Sequence, residues 1–262
     1  MTALVERFNA DGAVWPLPCV SGDEARALTA LVERLSKGRG RLSPLLSAKP
    51  HLLIPGLWDI VHSKEVVDPV TAILGPDVLC FGTSFIWKPP LADLHVSWHQ
   101  DATHWGLEAP VALTVWLALT PSHRANGGVK IVPGSHGARI DHDHPEDPAN
   151  MLGRKEVART TISIDQEAYI ELAPGDISIH DVLLLHASAP NRSDDHRIGF
   201  AMRYIPSWNR QRAGTEATAT WIAGRDHGHY GLEREPSGLM KRADMLRHGH
   251  ILRCGRNVIY RS

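Results

Sequence analysis

The tripeptide His99-Gln100-Asp101, inside SWHQDATHW, sets an imidazole and a carboxylate two residues apart. On an extended strand such residues face the same way, roughly 6.6 Å apart along the chain, so both can turn onto one cation. Among 16 histidines about one His-x-Asp is expected by chance, so the tripeptide needs a partner. The segment APGDISIHDVLLLHASAPNRSDDHRIGFAMRYIP supplies one, with a second imidazole at His186 and a guanidinium at Arg197. If 177–188 and 196–205 pair as a hairpin around 190–195, Ser188 falls opposite Arg197 and His186 opposite Gly199, with diagonal neighbours ~7–8 Å apart. Arg197 could then hold the far carboxylate of a short diacid whose other end chelates a metal at His186. Gly199 and Ala201 would leave that surface free of bulk, and a slip of one residue would turn all these side chains outward.

Two histidines and one carboxylate are the protein ligands of non-haem iron(II), with three coordination positions left open. A structural zinc site would call for four protein ligands, usually including cysteine. Cys19, Cys80 and Cys254 stand far apart without a CxxC pair, as ordinary thiols do in a reducing compartment.

The elements that must position these groups follow from patterning. Residues 21–37 begin with a Ser/Asp cap signal and carry Ala25, Leu28, Leu31, Val32 and Leu35 at helical spacing. A second helix is expected over 63–74, closed by Gly75-Pro76. From about residue 78 the chain changes to short β-branched and aromatic runs such as VLCFGTSFIW, VALTVWLALT and HRIGFAMRYI, separated by Gly, Pro, Asn and Asp clusters. Strands so spaced, without long intervening helices, predict an antiparallel sandwich or barrel. Residues 137–160 are polar and irregular, a long loop over one mouth of it; with 38–62 and the C-terminal tail they are the segments expected to shape a pocket. The whole, 262 residues with 43% hydrophobic content, suits a single domain over 1–262: N-terminal helices 20–75, core strands about 78–206 and a tail, 207–262, whose pattern assigns no element.

The net charge of −1 gives no broad electrostatic footprint, so neither nucleic acid nor a membrane surface is expected as partner, and a small-molecule substrate must be caught locally. The N-terminus lacks the basic and apolar regions of a signal peptide, and no stretch approaches ~18 uninterrupted apolar residues. A cytoplasmic location is the expectation.

Several other residues have bland explanations. Asn126-Gly127-Gly128 and Pro133-Gly134-Ser135-His136 suit turns, although His136 could face a cavity. His180 shares strand parity with His186 and is read as a structural hydrogen-bonding residue. The pairs His142/His144, His227/His229 and His248/His250 suit solvated loops, and Trp87, Trp98 and Trp105 suit core or cavity wall. Arg203 has the parity of Arg197 and competes for its role.

Taken together, FNADGAVW, the KPP segment, WHQD, a strand with an internal tryptophan, NGGVKIVPGSH, PGD and HASAPNRS, with an arginine 11 residues after the distal histidine, resemble the phytanoyl-CoA dioxygenase (PhyH) family over roughly residues 8 to 206. The resemblance implies a mainly β fold with flanking helices, the double-stranded β-helix (jelly-roll, cupin-like). It implies Fe(II) ligands His99, Asp101 and His186, and Arg197 as partner of the 2-oxoglutarate C5 carboxylate. Trp116, Thr114 and Ser84 fall where family members contact the co-substrate, and Ser188 joins them from the pairing above. It further implies an enzyme that uses O2 and 2-oxoglutarate to hydroxylate an unactivated C–H bond of a small-molecule metabolite, releasing succinate and CO2. Family relatives that halogenate carry a small residue in place of Asp101, so its presence favours hydroxylation. The competing readings are a desaturating or cyclising 2-oxoglutarate oxygenase of natural-product biosynthesis, a cupin-type metalloenzyme that needs no Arg197, and a noncatalytic relative or structural module.

Overall fold

The computed structural model describes residues 1–36, 42–103, 105–212 and 217–254. Lys37, the last residue of the expected first helix, residues 38–41 of the expected pocket-shaping segment, and tail residues 213–216 and 255–262 lie outside the described residues.

Along the chain the elements are α1 (Thr2–Asp11), β1 (Ala13–Pro18), α2 (Gly22–Leu35), α3 (Pro55–Val61), α4 (Lys64–Leu74), β2 (Val78–Lys88), β3 (Val96–His99), β4 (Leu113–Ala118) and β5 (Val129–Ile131). They continue with β6 (His142–Asp143), β7 (Val157–Ala158), β8 (Ala168–Tyr169), β9 (Asp176–Asp181), β10 (His186–Ser188), β11 (Arg197–Pro206), β12 (Thr218–Ala223), β13 (Gly231–Leu232) and α5 (Arg242–Cys254). A seven-stranded sheet runs β1-β9-β4-β11-β2-β12-β13 and a four-stranded sheet runs β3-β10-β5-β8. All pairings in both are antiparallel except β12 with β13. This is the mainly β, jelly-roll architecture with flanking helices.

Both expected helices form. Ser21 caps α2 in a reciprocal box: its hydroxyl accepts from the Glu24 N–H, and the Glu24 carboxylate accepts from the Ser21 N–H. The buried face is Ala25 and Val32, with Leu28, Leu31 and Leu35 packed beside them. α4 buries Val66 and Val70 and stops at Gly75, whose φ of 92° suits a residue without Cβ. Elements the sequence pattern did not announce are α1, α3 and α5, together with β1 and β12, which extend the large sheet beyond residues 78–206.

The alternation along the large sheet's central strands decides where the chemistry sits. Ile198, Phe200, Met202 and Tyr204 of β11, Leu113, Val115 and Leu117 of β4, and Ile177 and Ile179 of β9 all join the core that packs against Val32, Leu57, Val61, Val66 and Val70 of the helices. Burying side chains such as Ile198 and Phe200, each 0% exposed, contributes about 1.5–3 kcal/mol apiece. The intervening residues must therefore face the other way, toward the small sheet. They include Arg197, Gly199, Ala201 and Arg203 on β11, Thr114 and Trp116 on β4, and Ser178 and His180 on β9.

The hairpin expected from 177–188 and 196–205 does not form. The first segment is two strands, β9 in the large sheet and β10 in the small one, separated by a turn at residues 182–185. His186 lies opposite His99 and Ile131, and Arg197 opposite Lys88, so neither Ser188/Arg197 nor His186/Gly199 is a cross-strand pair. The physical reason is length and burial. β11 is ten residues long and buried on both faces, and it satisfies its backbone by pairing with β4 on one side and β2 on the other; a three-residue β10 could not serve. The link from β10 to β11 crosses between sheets, held by Asn191, whose amide donates to the carbonyls of Pro89 and Asp195 at 3.0 and 2.8 Å. No described helix is long and apolar enough to cross a membrane.

Candidate active site

His99, Asp101 and His186 converge. Each offers one ligand atom, all within 4.8 Å of one another, and all three residues are buried. They meet differently from the simple strand picture: β3 ends at His99, and Asp101 opens a short 3₁₀ turn over Asp101–Thr103. Gln100 makes that bend. Fully buried, its amide donates to the carbonyls of Ala138 and Leu183 at 2.8 and 2.6 Å and accepts from the Ile140 N–H at 2.8 Å, while its own N–H reaches His142 Nε2 at 3.0 Å. Its flanking residues are thereby aimed inward together.

The tautomers suit a metal. His99 Nδ1 donates to the Ser97 carbonyl and His186 Nδ1 to the Leu184 carbonyl, each at 2.9 Å. A carbonyl can only accept, so each Nδ1 carries the proton and each Nε2 keeps a lone pair. His99 Nε2 lies 3.6 Å from Asp101 Oδ1, and the two imidazole centroids are 4.1 Å apart. Thr114 Oγ1 donates to Asp101 Oδ2 at 2.9 Å, which leaves Oδ1 to face the histidines. Burial, then the neighbouring His99, pushes His186 well below the usual imidazole range, so it is unprotonated at neutral pH as a ligand must be.

Beside the triad lies a cavity of about 420 Å³ lined by all eight residues singled out in the sequence: Ser84, His99, Asp101, Thr114, Trp116, His186, Ser188 and Arg197. Arg197 is 1% exposed, and none of its three side-chain nitrogens has a hydrogen-bond partner among the described residues. Its guanidinium stacks on the Trp116 ring, 4.6 Å from the centroid, and burial lowers it to about 10. A buried cation without an acceptor is costly unless an anion completes it. Diacid and metal thus both fit the residues present: lone pairs converge at one end, and an uncompensated guanidinium waits at the other.

Lys88 was quoted in the sequence only as part of KPP. It reaches across from β2 to the small sheet, where its ammonium donates to Ser188 Oγ at 2.7 Å, to the Ser188 carbonyl at 3.1 Å and to the Ala189 carbonyl. Burial, and then Arg197, pulls it down to about 6. Ser188 therefore lines the cavity already engaged. The signal for Lys88 was its parity with Ser84 and Ile86 on β2.

Two earlier expectations change. Gly199 does not leave open space, because the Trp116 indole fills it and any Cβ there would collide with the ring. His180 is not a structural hydrogen-bonder: it is 3% exposed, both ring nitrogens lack a partner among the described residues, and its ring centroid lies 4.7 Å from that of His186. Burial holds it neutral, at about 4. His136 packs toward Phe8 and Gly12 and does not line the cavity. His144 makes a local bond to the Arg154 carbonyl, whereas the His248/His250 pair is not in a solvated loop but on α5, with His248 buried and bonded to the distant Ala48 carbonyl; Trp87 lies in the helix-side core. Of the segments expected to shape the pocket, Ser47, Met151, Leu152 and Gly153 reach its wall.

Residues 8–199 match the family described as Phytanoyl-CoA dioxygenase (PhyH). Among curated proteins, a probable alpha-ketoglutarate-dependent hypophosphite dioxygenase of Stutzerimonas stutzeri is 27% identical over 177 residues, 64% of this chain and 61% of that one. The chain spans 49 to 61% of the length of that relative, a probable phytanoyl-CoA dioxygenase of Caenorhabditis elegans and an ectoine dioxygenase of Nocardia farcinica. Among solved structures, the apo form of the non-heme monooxygenase ThoJ superposes with a TM-score of 0.83 at 30% identity, covering 96% of this chain and 95% of that one. CytC3 with Fe(II) and alpha-ketoglutarate gives a TM-score of 0.69 at 25% identity, covering 92% and 95%.

Proposed function

Because the chain belongs to the phytanoyl-CoA dioxygenase family, we propose that it is an iron(II)- and 2-oxoglutarate-dependent dioxygenase that hydroxylates an unactivated C–H bond of a small-molecule metabolite, with residues 1–262 acting as one catalytic domain. His99 Nε2, Asp101 Oδ1 and His186 Nε2 hold the iron, and Arg197 receives the distal carboxylate of 2-oxoglutarate. When bound, iron and co-substrate supply the oxidising power: O2 and 2-oxoglutarate are consumed, one oxygen atom enters the substrate as hydroxyl and the other leaves in succinate, with CO2 released.

The chain's own residues orient and exclude. Thr114 fixes which Asp101 oxygen faces the metal, the two backbone carbonyls fix both imidazoles, and Trp116 with Gly199 forms a close-packed wall beside Arg197. Lys88 ties the Ser188 end of the small sheet to the large one, so the guanidinium and the ligand set keep a constant separation. The carboxylate Asp101 occupies a position that a small side chain would leave to a halide, which favours hydroxyl transfer.

The observation that carries this reading is the buried Arg197 guanidinium, without a hydrogen-bond partner among the described residues, facing the same cavity as three converging ligand atoms. The test is an anaerobic titration with iron(II) and 2-oxoglutarate, followed by a compound screen scored on succinate release with product analysis. A weak visible charge-transfer band requiring both additions is expected; folded protein that shows none refutes the proposal.

A further inference from the structure

A second arginine faces the cavity and has no task in the reading above. Arg203 stands six residues beyond Arg197 on β11, on the same face, between Gly82 of β2 and Thr114 of β4. Its Nη1 donates to Ser84 Oγ at 3.0 Å, its guanidinium lies 5.8 Å from the Trp105 ring centroid, and its Nε is buried without a hydrogen-bond partner among the described residues. No described carboxylate forms an ion pair with it. A guanidinium presents five N–H donors in a planar fork, so most of this one's capacity is unspent and directed at the cavity it lines.

The two arginines occupy different flanks. The Trp116 indole leans over Gly199 toward Arg197, whereas Arg203 is the cross-strand neighbour of Thr114, the residue that orients Asp101. Their backbones are ~20 Å apart along an extended strand, and a short diacid chelated at the triad and ending on Arg197 leaves Arg203 unserved. Charge points the same way. Iron(II) and two guanidinium groups bring four positive charges; Asp101 and the co-substrate return three, and any charge retained by Lys88 adds to the surplus. We propose, building on the 2-oxoglutarate reading, that Arg203 anchors an oxyanion of the primary substrate, so that the enzyme acts on small organic acids bearing a carboxylate or an equivalent group. Arg203 then sets specificity and orients the substrate beside the metal, Ser84 holds the guanidinium in place, and the planar fork grips the anion in two directions.

The test uses the iron- and 2-oxoglutarate-loaded protein without oxygen. Short straight-chain monocarboxylates and N-acetyl amino acids, each against its own primary amide, are titrated while the visible band is followed. Acids are expected to perturb the band and their amides to bind at least ~10-fold more weakly; Arg203→Gln should erase the difference and Arg203→Lys should restore part of it. No acid outperforming its amide overturns the inference, and that comparison needs no variant. An equal loss of 2-oxoglutarate affinity in Arg203→Gln also overturns it, since Arg203 would then serve the co-substrate. Absence of the band in the unmodified protein would instead bring down the co-substrate reading itself.

Discussion

The two sheets contribute unequally. The large one has long strands, a helical layer behind it and a continuous apolar core on that side; its inner face supplies Arg197, Arg203, Trp116 and Thr114. The small one has strands of two to four residues, yet it supplies both histidines of the triad. Both guanidinium groups therefore stand on the sheet backed by helices, while the two histidines stand on a sheet that packs through Val129 and Ile131 against Trp116, Ala118 and Ala201 of the other. Lys88, reaching over from β2, adds a polar tie between the two sheets at Ser188. The lesson is that both halves of the site are prebuilt, by different means: apolar packing behind the guanidinium groups, and backbone carbonyls that fix the imidazoles.

That contrast can be broken in several places. Most drastic is His99→Ala, which should abolish iron-dependent succinate release and remove the rise in thermal midpoint that iron gives the parent protein; a variant that still binds iron tightly would separate His99 from the metal. On the far side of the large sheet, Lys49 and Glu233 form a buried ion pair, with Thr218 and Thr220 donating to the carboxylate at 2.6 and 2.7 Å. Glu233→Gln should cost about 3–5 kcal/mol in urea unfolding while the folded protein keeps its 2-oxoglutarate affinity; altered affinity would show the helical layer and the site to be coupled.

Arg197→Ala should weaken 2-oxoglutarate binding by about 10- to 150-fold, from the loss of ~1.5–3 kcal/mol of charge-assisted contact. Normal binding would remove Arg197 from the co-substrate. Gly199→Ala tests the wall beside it: the added Cβ must displace the Trp116 indole, costing about 1–3 kcal/mol of stability and a smaller loss of co-substrate affinity. An unchanged tryptophan environment by fluorescence would contradict the packing.

The smallest effect concerns protons. Lys88 sits at about 6, below its free value, so at pH roughly 8 it is largely neutral. A carboxylate arriving beside Arg197 favours the ammonium form and raises that value, so binding should take up a fraction of a proton between these limits. Heats of 2-oxoglutarate binding in buffers of different ionisation enthalpy measure the uptake, and Lys88→Met should abolish it; no uptake in the parent protein would mean that Lys88 is already charged.

Much of this was legible residue by residue. The alternation through RIGFAMRYIP places Arg197 and Arg203 on one face whatever β11 pairs with, and WHQD joins a histidine to an aspartate closely enough that a bend at Gln100 can unite them. Ser21 and Glu24 announce the start of α2 by chemistry confined to four residues. By contrast, that His180 has no hydrogen-bond partner among the described residues is invisible in the sequence, because lacking a hydrogen bond is a property of its surroundings. So is the engagement of Ser188 by Lys88, a hundred residues away.

The sequence by itself determined the kinds of ligand, the shared facing of Arg197 and Arg203 and the extents of α2 and α4, since two-residue and 3.6-residue periods and end caps are set by backbone geometry over a few neighbours. Only the tertiary structure decided that the chain leaves one sheet after Asp181 and enters the other before His186. That step turns an expected contact along a hairpin into a meeting across a cavity. Strand partners are chosen by burial and backbone hydrogen bonding summed over distant segments, and no short stretch of residues carries that sum.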